Sequence, residues 1–434
     1  MPHPRAVRVG ASPRLTGRGA TLLAVGVVLL GVTLWFDLRD VMLLAFVAIA
    51  VPLVALGFVV VRVPRLLVHR TFAPAVASAG SRAEVRIVVR NRSVRAFDGA
   101  AWHDGVPAPM RAPAESVLPA LGAYEAAMPR GDDRATLTYR LQTPRRGVFP
   151  IGPLVVASTD PFGLARLSRQ VGTSHELVVT PRVVPLDPTS GSVAAIDGAL
   201  HGLQRRSHPN SDELIAREYR YGDPMRRVNW PATARRGELM VRDEEQRADP
   251  EARILLDTLE GRAVRDDDAM QAGFELAVEL AASIGVHLLG RGFRLRCDTV
   301  ADPARGFAGP QSDDGYRMPG GDRVLLEDLA RLDPTASRRV DVAAAAARAG
   351  REAPSPGYAI LVDPDAADVQ QLVALRTTFS PAVAFVLDSV RPQLVRVLED
   401  ADWRVVRLRW SGDVQAAWAS TGGVGRVRVS GAEG

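Results

Sequence analysis

The spacing of apolar positions changes along the chain, and each change marks a different kind of structure. Residues 20–36, "ATLLAVGVVLLGVTLWF", and 41–61, "VMLLAFVAIAVPLVALGFVVV", contain no charge. As helices rising 1.5 Å per residue they reach about 25 Å and about 31 Å, against a hydrocarbon core of about 30 Å. Only "DLRD", 37–40, separates them, so the pattern predicts a membrane hairpin over 20–61 with a tight turn. Trp35 and Phe36 fall where a span meets the headgroups. A second apolar run begins at once and no small-residue cleavage site stands out, which argues against a cleaved signal peptide.

From 70 to 183 the period becomes two. "AEVRIVVRN" (83–91) and "ATLTYRLQT" (135–143) alternate, "PRRGVFPIGPLVVAST" (144–159) reads as turn and strand twice over, and "HELVVTP" (175–181) closes the series. Such short strands between turn signals predict a small β-sandwich. "DPFGL" (160–164) reads as a turn with Phe162 as its apolar plug. A Gly, Ser and Asp-rich stretch, 187–211, predicts a linker.

Over 248–425 apolar runs alternate with helical spacing. Strands are predicted at 252–257, 293–300, 358–363, 382–388 and 403–410, and helices at 268–292, 322–332 and 340–349. That alternation predicts a doubly wound α/β domain with a parallel sheet covered on both faces. Asp257, Asp363 and Asp388 end three of the strands, the edge where ligands bind in this architecture.

Charge adds direction. All 54 basic residues are arginine, so a P-loop, which needs lysine, is excluded. Arg5, Arg8, Arg14 and Arg18 precede the first apolar run and Arg62, Arg65 and Arg70 follow the second, whereas the turn sets Arg39 against Asp37 and Asp40. The positive-inside rule then places the basic N-terminus, 1–19, and everything beyond 62 in the cytoplasm. The single cysteine, Cys297, excludes an internal disulfide framework and fits a reducing compartment. No paired Cys or His at metal spacing and no GxSxG nucleophile elbow occurs, so no cofactor and no catalytic residue is predicted.

The densest chemistry lies in 212–247, "SDELIAREYRYGDPMRRVNWPATARRGELMVRDEEQR" if Ser211 is included. Eight arginines there face eight acids, and without excess positive charge a nucleic-acid groove is not expected. Ser211 or Asp212 is expected to cap a short helix through "ELIARE", "YGDP" to turn, "MRRVNWPATARR" to hold a second short helix stopped by Gly237, and "ELMVRDEE" to form a strand. Tyr219 and Trp230 are expected to pack beneath the arginines. One reading is a salt-bridged joint that docks this element on the α/β domain. The other is an arginine clamp for a partner carboxylate or bound anion, carried by Arg217, Glu218, Tyr219, Arg220, Gly222, Asp223, Arg226, Arg227, Trp230 and Arg235. Asp257 is a weak metal candidate, more readily a cap or salt-bridge acid.

These motifs resemble the domain of unknown function 58 family. The resemblance rests on "REYRYGD" (217–223), "RRVNWPATARRGELMVRD" (226–243) and "ILLD" (254–257), with "PRRGVFPIGP", "DPFGL" and the double apolar run upstream. It implies a C-terminal body similar to a von Willebrand factor A domain. It also implies a non-catalytic, membrane-anchored scaffold or adaptor working with a MoxR-type AAA+ ATPase and other membrane proteins. The ion site of such domains needs Asp-x-Ser-x-Ser, whereas Asp257 is followed by Thr258, Leu259, Glu260 and Gly261, so that ion site is expected to be absent. The alternative is an enzyme, or a nucleotide- or metal-binding domain, acting at the strand tips.

Overall fold

The computed structural model describes residues 13–111, 114–124, 132–187, 216–219, 225, 228, 230–242, 250–257, 268–299, 315–332, 354–409 and 413–421. The chain divides into two compact units, Met1–Thr180 and Pro181–Gly434.

In the first unit a two-residue strand, β1 (Arg14–Leu15), leads into α1 (Gly17–Phe36), and α2 (Arg39–Val61) follows. Thr16 starts α1 by accepting the Gly19 N–H at its hydroxyl (3.2 Å), satisfying one of the unpaired amides of a first turn. Asp37, with φ 52°, reverses the chain. Gly26 then lets the two helices close, because a Cβ there would meet Ile49 Cγ1 at 2.8 Å. Ala45, Ala48, Ala55 and Val59 are buried on α2, while Leu34, Leu43 and Val54 are 71%, 72% and 70% exposed. Water does not favour so much exposed aliphatic surface, and lipid does.

The rest of this unit is β structure. β2 (Leu66–Ala73), β4 (Ser81–Asn91) and β7 (Arg134–Thr143) form one antiparallel sheet. β3 (Val76–Ser78), β11 (His175–Thr180) and β8 (Gly147–Ile151) form a second. β1, β10 (Ala165–Val171), β9 (Leu154–Thr159), β5 (Ala100–Asp104) and β6 (Ser116–Leu118) form a third, in that order. Period two shows directly: Val85, Ile87 and Val89 of β4 point inward and meet Trp102, Leu154, Val156, Leu177 and Val179 in one core.

The second unit begins with an antiparallel ribbon, β12 (Ala216–Glu218) against β13 (Met240–Arg242), and a short helix, α3 (Trp230–Arg236). A parallel sheet follows in the order β15 (Arg294–Thr299), β14 (Glu251–Leu256), β16 (Ser355–Leu361), β17 (Phe379–Leu387), β18 (Arg404–Leu408). α4 (Asp268–Gly290) crosses from β14 outward to β15, and α5 (Gly321–Arg331) packs on α4. α6 (Ala366–Leu375) and α7 (Pro392–Asp400) serve the crossovers in the other direction. Right-handed crossovers put α4 on one face and α6 and α7 on the other, so β16 and β17 are buried on both sides and read as unbroken apolar runs. The last helix, α8 (Val414–Ser420), buries Trp418 between His287 and Tyr358, with ring centroids 5.4 Å and 5.7 Å away.

Three described helices are long and apolar enough to cross a membrane: Gly17–Phe36, Arg39–Val61 and Ala269–Gly290. The third is two-thirds buried against its own sheet, as a core helix must be. Several expectations fall outside the described residues: the helix at 340–349, most of the linker at 187–211, the cap at Ser211 or Asp212 and the turn at 221–224. One is corrected: 216–218, expected at the end of a helix, is strand.

Candidate functional site

The signature segment is built from the ribbon outward. Ala216 pairs with Arg242, Arg217 with Val241 and Glu218 with Met240, and the Tyr219 N–H donates to Leu239 O (2.9 Å). Val228 bridges to Val241, and both are buried with Met240, which gives the segment a small apolar floor. α3 then runs to Arg236, and Gly237, with φ 75°, ends it by donating to Thr233 O (2.9 Å). The Thr233 hydroxyl accepts the Met240 N–H (3.0 Å), tying the helix to β13. At Ala216–Glu218 the expected helix end gives way to β12 because pairing along β13 satisfies the backbone that a lone short helix would leave frayed.

Trp230 overturns a second expectation. It opens α3 with 63% of its surface exposed instead of packing beneath the arginines. Met225 and Leu239 in the same segment are 57% and 38% exposed. Arg235 and Arg236 lie in the last turn of α3, where a cation complements the helix dipole. Among the described residues neither is paired with a carboxylate. Of the remaining predicted residues, Arg217 is described by its backbone only, Glu218 is exposed and Tyr219 half-buried. Arg220, Gly222, Asp223, Arg226 and Arg227 lie outside the described residues.

The strand tips are the other predicted site. The strand order reverses between β14 and β16, which is where a doubly wound sheet opens a crevice. Asp257 stands there, 2% exposed, and its Oδ2 accepts the N–H groups of Val362 (3.0 Å) and Asp363 (2.8 Å). Its own N–H donates to Ile360 O (2.8 Å). The carboxylate therefore clasps the turn after β16, the cap-like role set against metal binding. Asp365 and Asp368 form a capping box at the start of α6, and Asp388 is exposed with its N–H on Leu408 O (2.9 Å). No group of three His, Cys, Asp or Glu that could hold a metal occurs among the described residues. Cys297 is wholly buried, and burial pushes its thiol up, away from the reactive thiolate.

Sequence reasoning missed a buried polar network in the first unit. Arg70 of β2 faces inward and grips Asp104 at the end of β5, Nε to Oδ2 at 3.0 Å and Nη2 to Oδ1 at 2.6 Å. The Tyr139 hydroxyl donates to Asp104 Oδ2 (2.7 Å), and burial first, then the Asp104 charge, pushes that phenol far above its ordinary value. Arg70 Nη1 also donates to Thr173 O (3.1 Å). The available signal was the alternation of β2, which puts Arg70 on the same face as Val68.

No curated protein matches the chain. Among solved structures, the chain is similar to the CARDB domain of the PF1109 protein from Pyrococcus furiosus, determined as a crystal structure in complex with di-metal ions and by solution NMR. Identity is 14% in both, over 27% of this chain and 88% or 94% of that domain, with a TM-score of 0.19, too low to carry an argument. The ribbon, α3 and the first three strands of the parallel sheet lie within residues 215–363, which match the model of the family described as "Protein of unknown function DUF58", and this match supports the DUF58 family for the chain.

Proposed function

We propose that the chain is a membrane-anchored adaptor that docks a protein partner on α3 and the neighbouring ribbon. The observation that carries the reading is Trp230, left 63% exposed on a helix whose Arg235 and Arg236 have no carboxylate partner among the described residues. Trp and Arg are the residue types that dominate binding energy at protein interfaces. A pure salt-bridged joint would have spent those arginines on its own acids. The hairpin 20–61 is the anchor, and the arginine bias around it favours a cytoplasmic placement of both termini and of the soluble units. The resemblance points to a MoxR-type AAA+ ATPase as the partner and to a von Willebrand A-like body behind the docking face. The role is non-catalytic assembly or maturation of a membrane or envelope complex.

The test is co-purification from detergent-solubilised membranes, comparing the native chain with Trp230→Ala/Arg235→Ala. Both side chains are exposed, so the variant should keep its melting temperature and lose the partner. A folded variant that retains the partner sinks the docking assignment. The competing reading, a nucleotide or divalent-ion site at the switch point, is favoured by the strand order alone. It predicts that Mg²⁺ or a nucleotide raises the melting temperature and that Asp257→Asn removes the shift.

A further inference from the structure

We infer that the cleft at the foot of α2 is a binding site for the phosphate of an anionic phospholipid. This rests on the reading that the hairpin spans a bilayer. The cleft encloses about 450 Å³, the size of a small-ligand site, and lies wholly within the first unit. One wall is the last turn of α2 with the segment after it, and the other is the loop after β4.

Its charge is unbalanced. Arg62, Arg65 and Arg95 line it against one acid, Asp98. Asp98 is already engaged by Arg62 at 2.8 Å, and Arg62 also lies over the Phe58 ring at 5.4 Å. Among the described residues, Arg65 and Arg95 have no carboxylate partner. Two unmatched guanidinium groups in one cleft are suited to a phosphodiester, which their planar forks bind in pairs.

The site is also built beforehand. Asn91, 1% exposed, donates from its amide to Arg95 O (2.9 Å) and Gly122 O (2.9 Å) and accepts the Ser93 N–H (2.9 Å). The Arg92 N–H reaches Arg65 O (2.7 Å), so both arginine-bearing segments are fixed to each other. At the rim, Val61, Val63 and Val94 are 82%, 57% and 85% exposed. Apolar side chains beside unpaired arginines, one turn from the end of an apolar helix, match the boundary between acyl chains and headgroups. A free phosphate would match the arginines but leave the valines in water. Basic pockets at this depth on the cytoplasmic side are where acidic headgroups are held.

The test uses the full-length chain in detergent with phosphatidylglycerol or phosphatidylcholine added, read by native mass spectrometry. The native chain should retain phosphatidylglycerol over phosphatidylcholine, and excess inorganic phosphate should not displace it. Arg65→Ala/Arg95→Ala should lower retention roughly tenfold or more, and Arg65→Lys/Arg95→Lys should recover part of it. Equal retention by a folded alanine variant overturns the site, as does complete displacement by inorganic phosphate, which would make the ligand a free anion. If the alanine pair fails to fold, Arg95→Ala alone, on an exposed loop, decides in the same way. Carbonate extraction of the native chain separates the two levels. A chain washed from the membrane overturns the spanning reading and the lipid site together. A chain that stays embedded while the variant still holds lipid overturns the site only.

Discussion

Arg70 and Asp104 meet in the core of the first unit as a two-point pair in which neither side chain has any exposed surface. A charge at that depth is tolerated only because every partner is in place, and Gly152 contributes to this by leaving room. A Cβ there would fall 2.7 Å from Arg70 Nη1. Asp104→Ala strands the guanidinium and should cost about 3–5 kcal/mol. Tyr139→Phe removes one charge-assisted bond and should cost about 1.5–3 kcal/mol. Denaturant unfolding of the full chain, native against variants, checks both.

The same network has a pH dependence. His175 Nδ1 lies 3.2 Å from Arg70 Nη1, and because arginine only donates, that nitrogen accepts and the proton sits on Nε2. Burial, then the Arg70 charge, then His69, lower the His175 pKa below its ordinary value. The unfolded chain therefore takes up a proton before the folded one as pH falls. Stability is complete above the unfolded value of about 6.5 and declines below it, through the lowered folded value. The melting temperature should drop between neutral and mildly acidic pH, and His175→Gln should flatten that drop. An unchanged slope in the variant would assign the effect elsewhere.

Asp257 holds the turn after β16 through two backbone donors on one oxygen. Asp257→Ala takes this acceptor from the buried Val362 N–H and the half-buried Asp363 N–H, and should destabilise the second unit by about 2–3 kcal/mol. Mg²⁺ should leave the native melting temperature unchanged. A clear rise would instead favour an ion site at the strand tips.

Gly19 and Gly26 are the close contacts of the hairpin. A Cβ at Gly19 would collide with the Leu164 carbonyl, and one at Gly26 with Ile49. Gly19→Leu and Gly26→Leu should each cost about 1–3 kcal/mol through overpacking. Gly19→Leu should also speed proteolytic cleavage within 160–164, whereas Gly26→Leu should not, since its clash lies between the helices.

The elements most legible in the sequence were those whose pattern serves packing alone. The apolar runs ending at Asp257, Asp363 and Asp388 became β14, β16 and β17, and Gly237 ended α3 where its conformational freedom required. Ala216–Glu218 was misread because "ELIARE" carries helix-forming residues, and local preference yields when a partner strand lies alongside. Trp230 was misread for the opposite reason. A large aromatic is ordinarily buried, and only the folded segment shows that its small floor of Val228, Met240 and Val241 leaves Trp230 exposed. Asp104 takes its meaning from Arg70, distant in sequence and facing it only once β2 and β5 have folded.

The turn into β10 accepts Thr16 at the foot of α1, its hydroxyl on Gly163 O at 2.6 Å and its N–H on Leu164 O at 2.8 Å. Farther along the same strand, Arg169 Nη2 donates to Val60 O at 2.7 Å, at the foot of α2. The β body is thus bolted to both legs of the hairpin by one stiff crossbar. A body hung from a single helix would swivel freely. Here a tug or twist applied to the sheets is shared between two helices, so neither leg can turn without the other.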